Sequence, residues 1–423
     1  MLEVLKSSWA LLLGMMLLMV GNGVQGTLLG IRGGLEDFGT FEMSVVMSAY
    51  FVGFLGGSKL APEMIRRVGH VRVFAALGSL ISAVLILYPA FPSILLWTFG
   101  RVIIGFCFSA VYVTAESWLN NSTDNEHRGQ ALSLYMIVQM FGIVSAQGLL
   151  VLGDPSGFIL FIVPSVLVSI SFAPILLSIS PTPAFEATKP MTLRELYGIS
   201  PLGCIGMVLL GGVFAAQFGM AAVYGTERGL SVGQISAFVS SIYIGALLLQ
   251  YPIGWISDRM DRRLLIFAVS AIGGGAGVLA YLFDQNFTIL LVSAFIIGGM
   301  SNPLYALLLA YTNDFLEHED MAAASGGLVF INGVGAIAGP LVVGWMMGVI
   351  GPEAFFLFVA LLMIGLAFYA AYRMTQRAST TEVEDMVSYA PILATTSPVA
   401  VEVAQEYYIE TELEDASDGI SGD

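Results

Sequence analysis

The chain has 423 residues, 57% of them hydrophobic and only 11% charged, with a mean hydropathy of +0.84 and a formal net charge of −15. A soluble domain carries about 25% charged residues, so the composition excludes an ordinary soluble enzyme or nucleic-acid binder and points to a bilayer. The acidity is local: residues 376–423 hold eleven acids and one Arg, a net −10, which leaves −5 for all the rest.

Apolar runs of roughly 20 residues, the length needed to cross ~30 Å of hydrocarbon, predict twelve spans. They lie near 8–30, 43–61, 71–90, 94–118, 129–152, 157–179, 202–225, 234–256, 264–283, 287–311, 322–349 and 353–374. Lys6 ahead of the first run also fits a signal peptide. The first span places Asn22 and Gln25 three residues apart, on one helical face. The fourth carries Arg101, Gly105, Phe108, Tyr112 and Glu116 on one face. An Arg at mid-membrane costs ~2.5–3.5 kcal/mol on insertion scales, so Arg101 must face protein or a wet cavity. It either anchors an anionic solute, hydrogen-bonds to Asn22 or Gln25, or pairs with Glu42. Glu116 cannot reach it, because fifteen residues of helix span ~22 Å.

Ser180–Ser200 contains Pro181, Pro183 and Pro190 with Lys189 and Arg194, which stops a membrane helix and predicts a linker with a short surface helix over Thr192–Tyr197. The seventh span carries Gln217 and Tyr224. The tenth carries Asn302 and Tyr305 beside Pro303, which removes a backbone donor and loosens the helix. Beyond the twelfth, the acidic segment has Pro391, Pro398 and no apolar period, and reads as a disordered, solvated tail.

The domain boundaries that follow are 1–179 and 201–375 for two helical bundles, 180–200 for the linker and 376–423 for the tail. Placing the N-terminus in the cytoplasm puts thirteen Lys and Arg inside and two, Arg32 and Arg228, outside. That bias predicts a multi-pass protein of a bacterial inner membrane with both termini cytoplasmic. Cys107 and Cys204 lie at different depths, which argues against a disulfide. His70, His127 and His318 all fall in predicted loops, so neither a metal centre nor an intramembrane His relay is expected. There is no phosphate-binding Gly-rich loop for an ATP-driven pump, no catalytic set, and no cofactor site is expected.

The two halves resemble each other at an offset of 192: Gln25 and Gln217, Ser44 and Ser236, Ser48 and Ser240, Gly53 and Gly245, Arg67 and Arg259. Paired halves in a hydrophobic chain mark secondary transporters whose solute site lies between the repeats.

The loop after the eighth span reads Gly254-Trp-Ile-Ser-Asp258-Arg259-Met-Asp261-Arg262-Arg263, and its first-half counterpart reads Arg66-Arg67-Val68-Gly69-His70-Val71-Arg72. With Arg101-x-x-x-Gly105 and Arg128-Gly129, these resemble the signature loops of the major facilitator superfamily over about residues 5–375. More loosely, Ala115-Glu116-Ser117-Trp118 resembles a bacterial branch of that family with poorly defined substrates. Arg66 stands where the family usually has Asp.

The resemblance implies an all-α fold of two six-helix bundles related by a pseudo-two-fold axis along the membrane normal, which rock about a central site. Helices 1, 4, 7 and 10 are then expected to line it, making Asn22, Gln25, Arg101, Tyr112, Gln217, Asn302 and Tyr305 the candidate solute contacts. Polar groups there need partners or water, and ordinary interhelical hydrogen bonding is the alternative. Glu116 is the candidate proton-coupling group, against a permanent salt bridge with a loop Arg. For a cytoplasmic gate, Asp258 is expected near Arg128 at the start of helix 5, where the helix dipole also favours a carboxylate. Arg66 and Arg67 are expected to face Glu317, Glu319 and Asp320, and Arg259 belongs to the same seam. Gly335-Ala-Ile-Ala-Gly339-Pro340 resembles a stretch that drug–proton antiporters carry in helix 5, where this chain lacks it. Small-residue helix packing is its other reading.

The function expected is secondary active transport of a small organic solute by alternating access, with a proton as candidate second cargo, in a lipid-embedded monomer that binds no nucleic acid. The alternatives are efflux of lipophilic compounds and a non-transporting membrane sensor.

Overall fold

The computed structural model describes residues 2–121, 128–177, 191–316 and 318–376. The acidic tail and most of the interbundle linker lie outside the described residues. The described residues form helices and connecting turns only, and among them twelve helices are long and apolar enough to cross a membrane.

The first bundle holds α1 (Leu2–Leu35), α2 (Thr40–Val68), α3 (His70–Ala90), α4 (Ile94–Asn121), α5 (Arg128–Val151) and α6 (Ile159–Leu176). The second holds α7 (Pro201–Glu227), α8 (Val232–Ser257), α9 (Arg262–Leu282), α10 (Phe287–Asn313), α11 (His318–Ile350) and α12 (Ala354–Gln376). Polar caps mark the boundaries. The Ser231 and Gln234 side chains form a reciprocal capping box at the start of α8. Asn286 Oδ1 accepts from the backbone N–H groups of Thr288 and Ile289 at the start of α10.

A linker helix, Leu193–Ile199, precedes α7 and begins with a capping box between Thr192 and Glu195. Hydrogen bonds from the Thr192 hydroxyl and N–H hold the Glu195 carboxyl below the usual carboxylate range. This cap therefore stabilises the helix above the ordinary Glu range, and its contribution fades as pH falls through the lowered folded value. Leu196 is buried and packs on α11 at Gly327, which ties the linker helix to the second bundle.

His70 corrects the sequence expectation. It opens α3 and is buried, with Nε2 3.1 Å from Ser117 Oγ. The cause is Gly69, which alone joins α2 to α3 at φ +82° and leaves no room for a longer loop. His318 likewise opens α11 rather than lying in a loop. His127 lies outside the described residues. Both cysteines are free and buried.

The internal repeat reappears as backbone geometry. In the first bundle, a Cβ on Gly53 would overlap the Val102 carbonyl oxygen, and one on Gly105 would overlap that of Tyr50. In the second, Gly245 and Gly298 meet the carbonyl oxygens of Phe295 and Ile242 in the same way. Gly142 of α5 lies 2.8 Å, by its ideal Cβ, from Met16 O on α1, and Gly335 of α11 crowds Val208 O on α7. The crossings α2–α4 and α8–α10 are thus equivalent, as are α1–α5 and α7–α11. The offset grows from 192 to 193 between α3 and α4. The loop 91–93 has three residues where its counterpart 283–286 has four. Gly335 and Gly339 both sit against α7, so the Gly335–Pro340 stretch packs helices.

The bundles meet at the face opposite the termini. Gly30 of α1 packs on Ala222 of α7, Gly34 on Thr226, and Gly344 of α11 on Ser44 of α2. Thr40 Oγ1 donates to Glu227 at 2.8 Å, and Ser48 Oγ to the Ile337 carbonyl at 2.6 Å.

Candidate functional site: a cavity between the bundles

Below this seal lies a cavity of about 110 Å³, walled by both bundles. A single water needs roughly 10–15 Å³ of such volume, so the space suits one small solute. The lining is broader than helices 1, 4, 7 and 10. α2, α5, α8 and α11 contribute Tyr50, Phe51, Phe54, Gln139, Val239, Tyr243, Val329 and Asn332, while α4 supplies only Arg101 and α10 only Asn302. Close glycine crossings set α4 and α10 behind α2 and α8, and this explains the difference.

Of the seven expected contacts, Asn22, Gln25, Arg101, Gln217 and Asn302 line the cavity. Tyr112 and Tyr305 are wholly buried outside the lining. Tyr112 still belongs to the polar network: Asn22 Nδ2 donates to its hydroxyl at 3.2 Å, and that hydroxyl points to Met19 Sδ at 3.4 Å. Tyr305 packs its ring on Phe214 at 6.2 Å. Tyr224 is withdrawn further still, into a cluster with Phe238, Phe355 and Phe356.

Arg101 is 3% exposed and is the one charged residue among the described lining. Its Nη1 donates to Gln25 Oε1 at 2.8 Å, and Gln25 Nε2 donates on to Asn22 Oδ1 at 3.2 Å. Its guanidinium carbon sits 4.7 Å from the Tyr50 ring centroid, a cation–π contact. No carboxylate among the described residues pairs with Arg101, so the expected alternative of Glu42 is not realised; Glu42 caps the start of α2 at the Gly39 N–H.

The second bundle departs from symmetry here. By the 193 offset, Arg101 corresponds to Ala294, so the positive charge has no repeat partner. α7 widens into a π-helical turn over Ala216–Met220, a type of irregularity frequent at functional sites. This turn carries Gln217, bonded to Ser301 Oγ at 3.0 Å, and Phe218, stacked on Tyr243 with centroids 5.3 Å apart. Phe214 stacks on Phe218 in turn, at 5.7 Å. The aromatic wall is what sequence reasoning missed, since Phe and Tyr face lipid as readily as a cavity. Gln139 and Asn332 were missed too, although amides inside spans are the same signal that singled out Gln25.

Glu116 is buried toward the terminal face and accepts a hydrogen bond from the Tyr135 hydroxyl at 3.1 Å. It does not line the cavity.

At the terminal face, Arg66 and Arg67 both bind Glu63 one turn earlier on α2, at 2.8 and 2.6 Å. Spacings of three and four residues put these groups on one helix face. Their expected contact with the acids ahead of α11 falls largely outside the described residues. Glu317 and the side chains of Glu319 and Arg128 lie outside the described residues, and Asp320 is exposed. Asp258 is half-exposed and 3.6 Å from Arg262, while Arg259 stacks on Trp255 at 4.2 Å. Among the described residues, a buried ion pair joins Arg262, opening α9, to Asp314, closing α10. Both side chains are almost fully buried.

The sequence matches the family model described as Major Facilitator Superfamily over residues 11–224 and 202–396. It is similar to the uncharacterized MFS-type transporter YcaD of Escherichia coli O7:K1, with 27% identity over 362 residues, 83% of this chain and 91% of the relative. The YcaD protein of Salmonella typhimurium LT2 is 24% identical over 354 residues, with the same coverage. Among solved structures, a point mutant of the nucleoside transporter NupG superposes with a TM-score of 0.74 at 15% identity, covering 86% of this chain and 99% of that one. A bacterial homolog of the lysosomal transporter Spinster, inward-facing and unoccupied, gives a TM-score of 0.66 at 12% identity, covering 96% and 98%. A point mutant of the Escherichia coli fucose:proton symporter FucP gives 0.56 at 15%, covering 86% and 98%. With a family model spanning both repeats and a cavity set between twelve helices in two bundles, this chain belongs to the major facilitator superfamily and is an MFS-type transporter.

Proposed function

We propose that the chain moves a small organic solute through the central cavity by alternating access of its two bundles. The carrying observation is that both bundles wall one cavity, while their cross-bundle contacts close the face opposite the termini. Rocking the bundles apart at that seal would expose Arg101, Gln217 and Asn302 to the other side. The basic-residue bias supports placing both termini in the cytoplasm of a bacterial inner membrane.

A proton is the candidate coupling ion, and Glu116 its candidate carrier. One of the structural neighbours, FucP, is a fucose:proton symporter. A carboxylate buried beside Tyr135 can take up or release a proton as its surroundings change between states. Efflux of lipophilic cations is the weaker reading, because no carboxylate is among the described lining residues.

Spin labels on Leu35 and Gln285 report the sealed face, and labels on Val68 and Tyr372 the terminal face. In lipid nanodiscs the two distance distributions should change reciprocally, one lengthening as the other shortens. Distances that stay single and fixed on both faces, across pH and lipid composition, would sink alternating access.

A further inference from the structure

We infer that the solute is a small monoanion with an aromatic body, held by its anionic group between Arg101 of the first bundle and Asn302 of the second. This rests on the cavity being the transport site.

Two buried polar atoms on the described lining have no hydrogen-bond partner, Arg101 Nε and Asn302 Nδ2. Both residues are 3% exposed. Burying a donor without an acceptor costs stability; both atoms are closed off from the cavity in this conformation, so a small turn of either side chain toward a bound acceptor relieves that cost. Both orphans are donors, they come from opposite bundles, and one of them carries a full positive charge. An acceptor-rich anion answers all three facts, and a carboxylate does so with two oxygens.

The remaining lining sets the body of the solute. No Asp, Glu, Lys or His is among the described lining residues, so a second charge, or a cation, would stand uncompensated beside Arg101. Phe214, Phe218 and Tyr243 form a stacked run on one side, with interplanar angles of 9° and 17°. Tyr50 and Phe54 face from the first bundle. Flat aromatic walls favour a flat apolar partner. The solute would also bridge the bundles through its anion, giving it a direct hold on their relative position.

The test uses the full-length protein in detergent at neutral pH, with thermal unfolding as readout. The probes are benzoate, phenylacetate and indole-3-acetate, beside the matched neutral phenylacetamide and cationic 2-phenylethylamine, each up to about 10 mM. The expected result is stabilisation by at least one aromatic carboxylate and by neither the amide nor the amine. Arg101→Gln should weaken the stabilising carboxylate about 10-fold or more, and Asn302→Leu should weaken it less. Wild-type selectivity alone decides the matter if Arg101→Gln fails to fold. Equal or better stabilisation by phenylacetamide or 2-phenylethylamine overturns the proposal, and so does silence from all three carboxylates. If the spin-label pairs still alternate in that event, the substrate class fails while the transport reading stands.

Discussion

Gly105→Val should yield almost no folded protein, while Gly56→Ala, a few residues away across the same interface, should behave like wild type. Any Cβ at Gly105 overlaps the Tyr50 carbonyl oxygen, which belongs to a rigid helix and has no rotamer to escape into. Overpacking a core costs typically 1–3 kcal/mol, and a backbone obstacle puts this site at or above about 3 kcal/mol. The opposing gain in helix propensity on replacing Gly is at most about 1 kcal/mol, so the clash decides the sign. At Gly56 the nearest neighbour of an added methyl is the Phe106 ring at 3.6 Å, ordinary contact. Yield of monodisperse protein and the unfolding midpoint read both variants. A wild-type midpoint for Gly105→Val would disprove the close α2–α4 crossing.

Asp314→Ala is expected to lower stability by about 3 kcal/mol. It takes from the buried Arg262 guanidinium a buried carboxylate partner, and Ser257 Oγ at 3.2 Å and the half-exposed Asp258 at 3.6 Å are among the contacts that remain. Breaking a buried pair typically costs 3–5 kcal/mol. Asp258→Ala should cost at most about 1 kcal/mol, because that carboxylate is 37% exposed and 3.6 Å away. Chemical unfolding of the two variants side by side checks the ranking. If Asp258→Ala proves the more damaging, then Arg262 depends chiefly on Asp258, and the buried lock between α9 and α10 is misassigned. In the first bundle the residue matching Arg262 at the 192 offset is His70, whose Nε2 lies 3.1 Å from Ser117 Oγ.

The twelve spans were legible because a run of about 20 apolar residues has one economical home. Their ends were less so. α2 runs on to Val68, past Pro62, because Glu63, Arg66 and Arg67 form a charged turn that satisfies itself beyond the apolar stretch. The repeat was visible through five identities, but the one-residue difference between loops 91–93 and 283–286 hid its continuation into α4 and α10. Only with that shift do Gly105 and Gly298, or Tyr112 and Tyr305, align.

In the site, amides and an Arg inside apolar helices stood out, and Asn22, Gln25, Arg101, Gln217 and Asn302 do meet at the cavity. Tyr112 and Tyr305 shared their helical faces but were turned into neighbouring helices, which periodicity alone cannot distinguish from a lumen. The π-helical turn at Ala216–Met220 has no signature in the residues, so the way it presents Gln217 and Phe218 was not readable.

The central claim, that the cavity opens alternately to both sides, is met most directly by thiol accessibility. Val329→Cys places a thiol of similar size on the cavity wall, in a background where the buried Cys107 and Cys204 are replaced by Ala. A membrane-impermeant maleimide is then applied to right-side-out and to inside-out vesicles. Labelling from both sides, each at a finite rate, is the result alternating access predicts. Labelling confined to one side, in protein that unfolds at the wild-type temperature, would contradict it.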